Sequence, residues 1–63
     1  MKTYWFEIDD EDSDLYGKEF LVEIDGQKMD ACRYAQVLFP NTPLHYLGRV
    51  SEYEAEMMGF DTY

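Results

Sequence analysis

Cys32 and His45 have the strongest intrinsic chemistry in the chain, and each is the only residue of its type. A structural zinc site needs about four nitrogen or sulfur ligands, so this pair is insufficient. A Cys–His catalytic pair needs proximity and a third group that orients the base. Cys32 instead falls on the apolar side of a predicted helix, where a free cysteine behaves as a small hydrophobe. A single cysteine also excludes an intramolecular disulfide and indicates a reducing compartment.

Asp10, Asp12 and Asp14 match the first three ligand positions of a calcium-binding EF-hand loop. The match ends there, because Leu15 occupies the position of the turn glycine and Leu21 that of the bidentate glutamate. We therefore expect no more than weak, loop-borne binding of a divalent cation, and no metal site is predicted. No glycine-rich phosphate loop and no serine-centred nucleophile motif is present. The sequence predicts neither enzyme activity nor a cofactor.

Carboxylates supply most of the remaining chemistry. The chain has 14 Asp and Glu residues against five Lys and Arg, for a net charge of −9. Nine of these acids and one base, Lys18, lie between Glu7 and Asp25, which gives that segment a charge of −8. Phosphates would repel it, so we predict no direct binding to nucleic acid or to anionic membranes. The predicted partner is a basic protein surface, and the commonest such surfaces bind DNA or RNA.

Composition predicts one small folded domain over residues 1–63. Hydrophobic residues make up 46% and aromatic residues 17% of the chain, whereas disordered acidic segments have few aromatics. A chain of 63 residues still forms only a thin core. The amino-terminal residues contain no long apolar run, so neither a secretory signal nor a transmembrane helix is expected. We expect a cytoplasmic protein.

Two strands are predicted in the first half of the chain. Apolar and polar residues alternate over Thr3–Ile8 and again over Phe20–Asp25, the period of a half-buried strand. The acidic connection over 9–18 contains Gly17, which favours a turn, and we expect Leu15 and Tyr16 to pin this connection to the body of the protein. An antiparallel hairpin is the simplest pairing.

The residue pattern in the second half of the chain predicts a helix, a strand and a short helix. Apolar residues at helical spacing run from about residue 27 to Phe39, where Pro40 ends the helix. A third strand follows over Leu44–Val50, with Gly48 weakening it or marking a bulge. Ser51 and Glu54 form a capping-box pattern, and Gly59 ends the second helix. We expect Tyr53, Met57 and Phe60 to anchor this helix.

The resulting fold class is α+β, in the order β-β-α-β-α, with a three-stranded, mainly antiparallel sheet in the strand order 2-1-3. The first helix covers one face of this sheet. The residues of that face are Tyr4, Phe6, Ile8, Phe20, Val22 and Ile24. The opposite face then carries Trp5, Glu7, Asp9, Glu19, Leu21, Glu23 and Asp25.

The acidic face has two interpretations. It either keeps a small protein soluble, or it is retained for binding despite the repulsion between like charges on neighbouring strands. Trp5 and Leu21 among the acids favour an interface, because an exposed aromatic residue within a charged surface is typical of a binding anchor. In the competing interpretation, the second helix or the segment ending at Tyr63 folds across this face and buries both residues.

The leading functional hypothesis is an inhibitor that mimics nucleic acid, with carboxylates in the place of phosphates on a basic groove and with Trp5 or nearby tyrosines adding apolar contact. The predicted partner-binding residues are Trp5, Glu7, Asp9, Asp10, Glu11, Asp12, Asp14, Glu19, Glu23 and Asp25. Small phage- or plasmid-encoded antagonists of CRISPR and restriction systems share this size and charge, an analogy of physical properties only.

The alternative hypothesis is a structural or regulatory interaction module. It would use an apolar Trp5/Leu21 patch or a sheet edge to dock on a partner or to form a homodimer, with charge serving solubility. Under this hypothesis Trp5→Ala abolishes binding, whereas neutralising the loop aspartates barely alters it. The mimic hypothesis expects losses from both changes.

Overall fold

The computed structural model describes residues 1–63 and confirms the predicted fold class. The elements are β1 (Lys2–Ile8), β2 (Glu19–Ile24), α1 (Lys28–Leu38), β3 (Leu44–Val50) and α2 (Glu52–Met58). The strands form one sheet in the order β2-β1-β3, and both neighbouring pairs are antiparallel. The crossover through α1 thus places β3 beside β1, as predicted.

The core lies between α1 and one face of the sheet. Phe6 and Phe20 are directly opposite each other on β1 and β2, and their rings stack with centroids 5.6 Å apart. The helix contributes Ala31 and Ala35, one turn apart and fully buried, whose small side chains let its backbone approach the sheet closely. Partly buried apolar residues surround this centre. They are Ile24, Cys32, Leu38, Phe39, Leu44 and Tyr46.

A tight turn connects β2 to α1 and is tied to the core. The backbone N–H of Gln27 donates a 2.8 Å hydrogen bond to the Asp30 carboxylate, which satisfies one of the unpaired donors at the helix start. A Cβ at Gly26 would lie 2.8 Å from that carboxylate, so the turn needs glycine there. The Tyr4 hydroxyl donates a 2.7 Å hydrogen bond to the Gly26 carbonyl, which links the turn to the central strand.

A β-bulge interrupts the pairing of β1 with β3, as the glycine in the third strand suggested. Trp5 pairs with Gly48 while Phe6 pairs with Tyr46, so Leu47 is the additional residue on β3. Gly48 has φ of 144°, a conformation that other residues rarely adopt. The bulge keeps Tyr46 on the core face, where its ring meets Phe6 edge-on at 5.5 Å.

The caps of α2 follow the prediction, and so does Phe60, which stacks on Trp5, but the other two expected anchors do not. Ser51 accepts a hydrogen bond from the Glu54 N–H at 3.1 Å, and Gly59 ends the helix with φ of 67°. Tyr53 and Met57 are each 71% exposed, so the prediction that they anchor the helix is wrong. Their spacing of four residues places both on one side, and that side faces solvent.

The C-terminal residues extend the sheet beyond β2, which was not predicted. The N–H of Leu21 donates to the Asp61 carbonyl at 2.8 Å, and the Tyr63 N–H donates to the Leu21 carbonyl at 2.9 Å. A third hydrogen bond, 2.9 Å long, joins the Glu23 N–H to the Tyr63 carbonyl. This short parallel pairing occupies the outer edge of β2 and leaves β3 as the unpaired edge. Neither helix has the length and apolar character needed to span a bilayer.

Candidate protein-binding surface

Seven acids gather at one end of the molecule, where the hairpin of β1 and β2 closes. We call this group the acidic hairpin end. It consists of Glu7, Asp9, Asp10, Glu11, Asp12, Asp14 and Glu19. All seven side chains are at least partly exposed. The carboxylates that the sequence predicted as phosphate substitutes are therefore accessible at this end.

Hydrogen bonds hold the loop between Asp9 and Lys18 in a series of turns. The Ser13 N–H donates to the Asp10 carbonyl at 2.9 Å, and the Asp12 N–H donates to the Asp10 carboxylate at 3.1 Å. The Asp9 N–H donates to the Pro43 carbonyl at 2.9 Å, which attaches the loop to the segment before β3. The Ile8 N–H donates to the Lys18 carbonyl at 2.8 Å and the Gly17 N–H donates to the Ile8 carbonyl at 2.9 Å, which closes the base of the loop. The backbone beneath the carboxylates is thus ordered.

The only base of the acidic segment is engaged elsewhere. The Lys18 ammonium lies 3.1 Å from the carboxylate of Asp61, in the C-terminal segment. A side-chain hydrogen bond to Asp61 is the main cause that raises the pKa of Lys18 above its ordinary value. No lysine or arginine forms an ion pair with any acid of the acidic hairpin end. These carboxylates therefore keep their negative charge available to a partner.

Glu7 lies between a like charge and a histidine. It is directly opposite Glu19 on β2 and His45 on β3. Two carboxylates about 5 Å apart in water repel by roughly 0.8 kcal/mol. The His45 Nδ1 lies 3.9 Å from the Glu7 carboxylate, at the limit of an ion pair and only if the imidazole is protonated. Glu7 and Glu19 are half-buried, so the chain holds two acids together without a lysine or arginine.

The acids do not form one continuous array along the hairpin. Asp9 and Asp25 lie beyond the ends of their strands, so the prediction that they belong to the second sheet face is wrong. Glu23 near the far end of β2 and Asp25 just beyond it lie about 13 and 20 Å along the strand direction from Glu19. Between the two ends the face carries the apolar pair Trp5 and Leu21.

At the far end, Glu23 is joined by acids of α2. Two adjoining clefts of about 450 and 400 Å³ lie there, and both include Glu23 and Glu52 in their walls. Glu56 lines the second cleft together with Phe60. Glu52 and Glu56, which were not among the predicted partner-binding residues, form with Glu23 a second acidic group apart from the acidic hairpin end. Their spacing of four residues on a capped helix was the available signal that they share one side.

The expected apolar patch of Trp5 and Leu21 is not available for docking. Leu21 is completely buried, and its backbone is hydrogen-bonded to the C-terminal segment. Trp5 is half-buried and stacks on Phe60, with ring centroids 6.5 Å apart. The prediction of an exposed Trp5/Leu21 anchor is thus wrong, and the interpretation in which the C-terminal part covers this face is correct. Burial of this pair supplements a thin core with apolar contact.

Leu15 and Tyr16 also differ from expectation. They were predicted to pin the acidic loop to the body of the protein, but they are 44% and 55% exposed. The backbone turns hold the loop instead, and both side chains extend among the acids. The acidic hairpin end therefore combines carboxylates with two exposed apolar groups.

The other candidate residues lie apart from one another. Cys32 is a free thiol, half-buried on α1 beside the core, and His45 is exposed on β3. No group of three or more histidine, cysteine or acidic side chains has a geometry that could hold a metal ion. The aspartates at 10, 12 and 14 accordingly do not converge on a common point.

No protein-family model matches the chain, and neither curated proteins nor solved structures give a match. The function must therefore be argued from the surface itself.

Proposed function

We propose that this protein binds a basic, nucleic-acid-binding surface of a partner protein and blocks it as a nucleic-acid mimic. The observation that carries the proposal is the acidic hairpin end, in which seven carboxylates are exposed at least in part and no lysine or arginine of the chain neutralises them. We place the protein in the cytoplasm, where partners that handle nucleic acid are available and where a lone free cysteine is typical.

Two physical features support binding by the acidic hairpin end. Its backbone is already ordered by turns, so less conformational entropy is lost on association. Its charge acts over about 10 Å at 0.1 M salt and steers a basic partner toward it. The ordered backbone lowers the entropic cost of binding, and the charge favours a fast, salt-sensitive association.

The inhibition would be steric. The domain is 32 Å long in its longest dimension, so its body fills space beside the groove that nucleic acid would need. A partner holding the acidic hairpin end in its groove could not hold nucleic acid at the same place. Since the carboxylates only need cationic groups opposite them, no catalytic residue is required.

The proposal is tested by capturing partners at low salt and measuring competition with nucleic acid on the purified partner. Two variants carry the same change in net charge. Asp12→Asn with Asp14→Asn removes two charges from the acidic hairpin end, and Glu52→Gln with Glu56→Gln removes two from α2. All four side chains are exposed, and none takes part in a hydrogen bond within the protein.

We expect the hairpin variant to lose at least tenfold in affinity and to show a shallower salt dependence, because it removes groups that face the partner. The α2 variant should lose clearly less. Equal losses from both variants would indicate a non-specific charge effect. A partner that binds this protein and its nucleic acid simultaneously would refute the mimic.

A further inference from the structure

Leu15 and Tyr16 are the exposed apolar side chains of the acidic hairpin end, and the proposed function, which depends on carboxylates, assigns them no specific role. Their exposed fractions are 44% and 55%, although the sequence pattern predicted contact with the body of the protein. Trp5 and Leu21, the other candidate anchors near the hairpin, are covered by the C-terminal part of the chain. Any apolar contact made by the acidic hairpin end must therefore come from Leu15 and Tyr16.

The backbone that carries both residues is fixed. The Leu15 N–H donates to the Ser13 hydroxyl at 3.0 Å, and the Tyr16 N–H donates to the Ser13 carbonyl at 3.1 Å. The Leu15 carbonyl accepts from the Lys18 N–H at 2.9 Å, and the Gly17 N–H donates to the Ile8 carbonyl at 2.9 Å. Tyr16 is thus presented by an ordered turn. A tyrosine ring gives a large contact area while only two side-chain torsion angles lose freedom on binding.

The ring of Tyr16 pairs with no other aromatic ring and lies under no lysine or arginine of its own chain. The cation that lies over a ring in this protein is Lys28, above Tyr46. Lys18, two residues from Tyr16, is held by Asp61 instead. Both faces of an aromatic ring attract cations and other planar groups. Tyr16 therefore offers an exposed aromatic ring in the same loop as most of the carboxylates of the acidic hairpin end.

We infer that Tyr16, supported by Leu15, occupies the place of a nucleobase while the surrounding carboxylates occupy the places of phosphates. This inference rests on the proposed function and narrows its partner to proteins that bind single-stranded nucleic acid. Such proteins combine a cationic groove with aromatic or arginine planes on which bases stack. A duplex-binding surface contacts mainly phosphates and the edges of stacked bases, so it offers an exposed tyrosine ring no equivalent partner.

Two synthetic peptides test the inference without a known partner. Lys-Trp-Lys-Trp-Lys presents cations with stacking rings, and Lys-Ala-Lys-Ala-Lys presents the same charge without them. Both are titrated into the intact protein by calorimetry and by amide chemical-shift mapping at about 10 mM salt, where charge attraction extends over about 30 Å. We expect the tryptophan peptide to bind at least ~5-fold more tightly, and to shift the amides of Leu15, Tyr16 and Gly17.

Tyr16→Ser is the test variant, and Tyr53→Ser is its control. Tyr53 is 71% exposed and follows Glu52 on α2, so it is also an exposed ring beside acids. Both variants should keep the dispersed amide spectrum of the fold, because neither ring is part of the core. The preference for the tryptophan peptide should vanish in Tyr16→Ser and persist in Tyr53→Ser.

The outcomes separate this inference from the function on which it rests. Equal, salt-dependent binding of both peptides, or a preference that survives Tyr16→Ser, overturns the base-like role of Tyr16 and leaves the cationic partner in place. The base-like role of Tyr16 is also overturned if the preference for the tryptophan peptide is lost in Tyr53→Ser and kept in Tyr16→Ser. Failure of both peptides to bind even at low salt would overturn the proposed function as well.

Discussion

At the scale of single residues, the pair of Lys18 and Asp61 has the clearest consequence. It joins the only base of the acidic segment to the C-terminal segment over 3.1 Å. The pair is exposed to solvent, so its effect on stability is small. Its effect on the surface is larger, because it directs the ammonium away from the carboxylates that a partner would contact.

The pH dependence of unfolding should reflect Lys18 and Tyr46. Hydrogen bonding to Asp61 raises the pKa of Lys18, and burial raises the pKa of Tyr46. The folded state then holds both protons more tightly than the unfolded state. The resulting stability is fully present below the unfolded pKa values and is lost as pH rises through the folded ones. Denaturant midpoints measured from about pH 8 to about pH 11.5 should fall above about pH 10.

Asp61→Asn and Tyr46→Phe separate the two contributions. Asp61→Asn removes the carboxylate that raises the pKa of Lys18. The part of the loss of stability at high pH that is due to Lys18 should therefore shrink, while the part due to Tyr46 stays. Tyr46→Phe should have the reverse effect. A decline that neither variant changes would show that other groups set the alkaline limit.

Trp5 provides a second prediction at the residue scale. Its indole N–H is buried without a hydrogen-bond partner, while its ring stacks on Phe60. Trp5→Phe keeps an aromatic ring on Phe60 and removes the unpaired donor, so the free energy of unfolding should change by less than ~1 kcal/mol. Trp5→Ala loses the ring and should cost about 2–3 kcal/mol, somewhat less than a fully buried aromatic. Chemical denaturation measures both; a large loss in Trp5→Phe would indicate that the indole nitrogen has a partner in solution.

At the scale of elements, the C-terminal segment acts as a short additional strand. Its backbone pairs with Leu21 and Glu23, and the Tyr63 ring meets Phe20 and Phe39 edge-on at 5.8 and 5.9 Å. This segment therefore closes one edge of the core as well as one edge of the sheet. An unpaired edge strand invites association with other chains, so its pairing also limits that risk at β2.

Tyr63→Ala should release this segment. We expect a loss of about 1–2 kcal/mol in the free energy of unfolding, from the ring area that is no longer buried. The amides of Leu21 and Glu23, which donate to this segment, should exchange with solvent faster. Tyr63→Phe is the control, because it keeps the ring and should keep both amides protected. Protected amides in Tyr63→Ala would show that the backbone pairing holds without the ring.

At the scale of the whole molecule, charge opposes folding. A net charge of −9 on 63 residues repels itself, and most of it lies on one hairpin and on α2. A domain with only ten buried residues has a low free energy of unfolding. Acids that destabilise the fold and lack partners within it are consistent with retention for binding.

Neutralising the exposed loop acids should therefore stabilise the protein. A variant with Asp9→Asn, Glu11→Gln, Asp12→Asn and Asp14→Asn has a less negative net charge, −5 instead of −9. At low salt we expect a gain of about 1 kcal/mol, which corresponds to a rise of roughly 4–8 °C in Tm. The gain should mostly disappear in about 1 M NaCl, where charges are screened beyond about 3 Å. A lower Tm at low salt would mean that these acids stabilise the loop.

Local patterns predicted much of the fold. Alternation over Thr3–Ile8 fixed which residues of β1 face the core, and Ser51 with Glu54 located the start of α2. Gly48 indicated the bulge. These features depend on neighbours in the chain, so they can be recognised without a tertiary structure.

The candidate site was only partly predictable. The density of acids in the loop is visible in the composition, but the exposure of Leu15 and Tyr16 depends on hydrogen bonds to Ile8 and Ser13. Whether an apolar residue near a turn points inward or outward is decided by contacts that the sequence pattern does not contain.

The sequence by itself determined the order of the elements, the face of the sheet that α1 covers and the place where negative charge accumulates, because periodicity and charge are properties of consecutive residues. Only the tertiary structure decided that Phe60 covers Trp5 on the second face, that Tyr63 closes one edge of the core, that Lys18 turns to Asp61, and that Glu52 lies beside Glu23. These contacts join residues about 29–55 positions apart, and their choice depends on how the whole chain buries its remaining apolar surface.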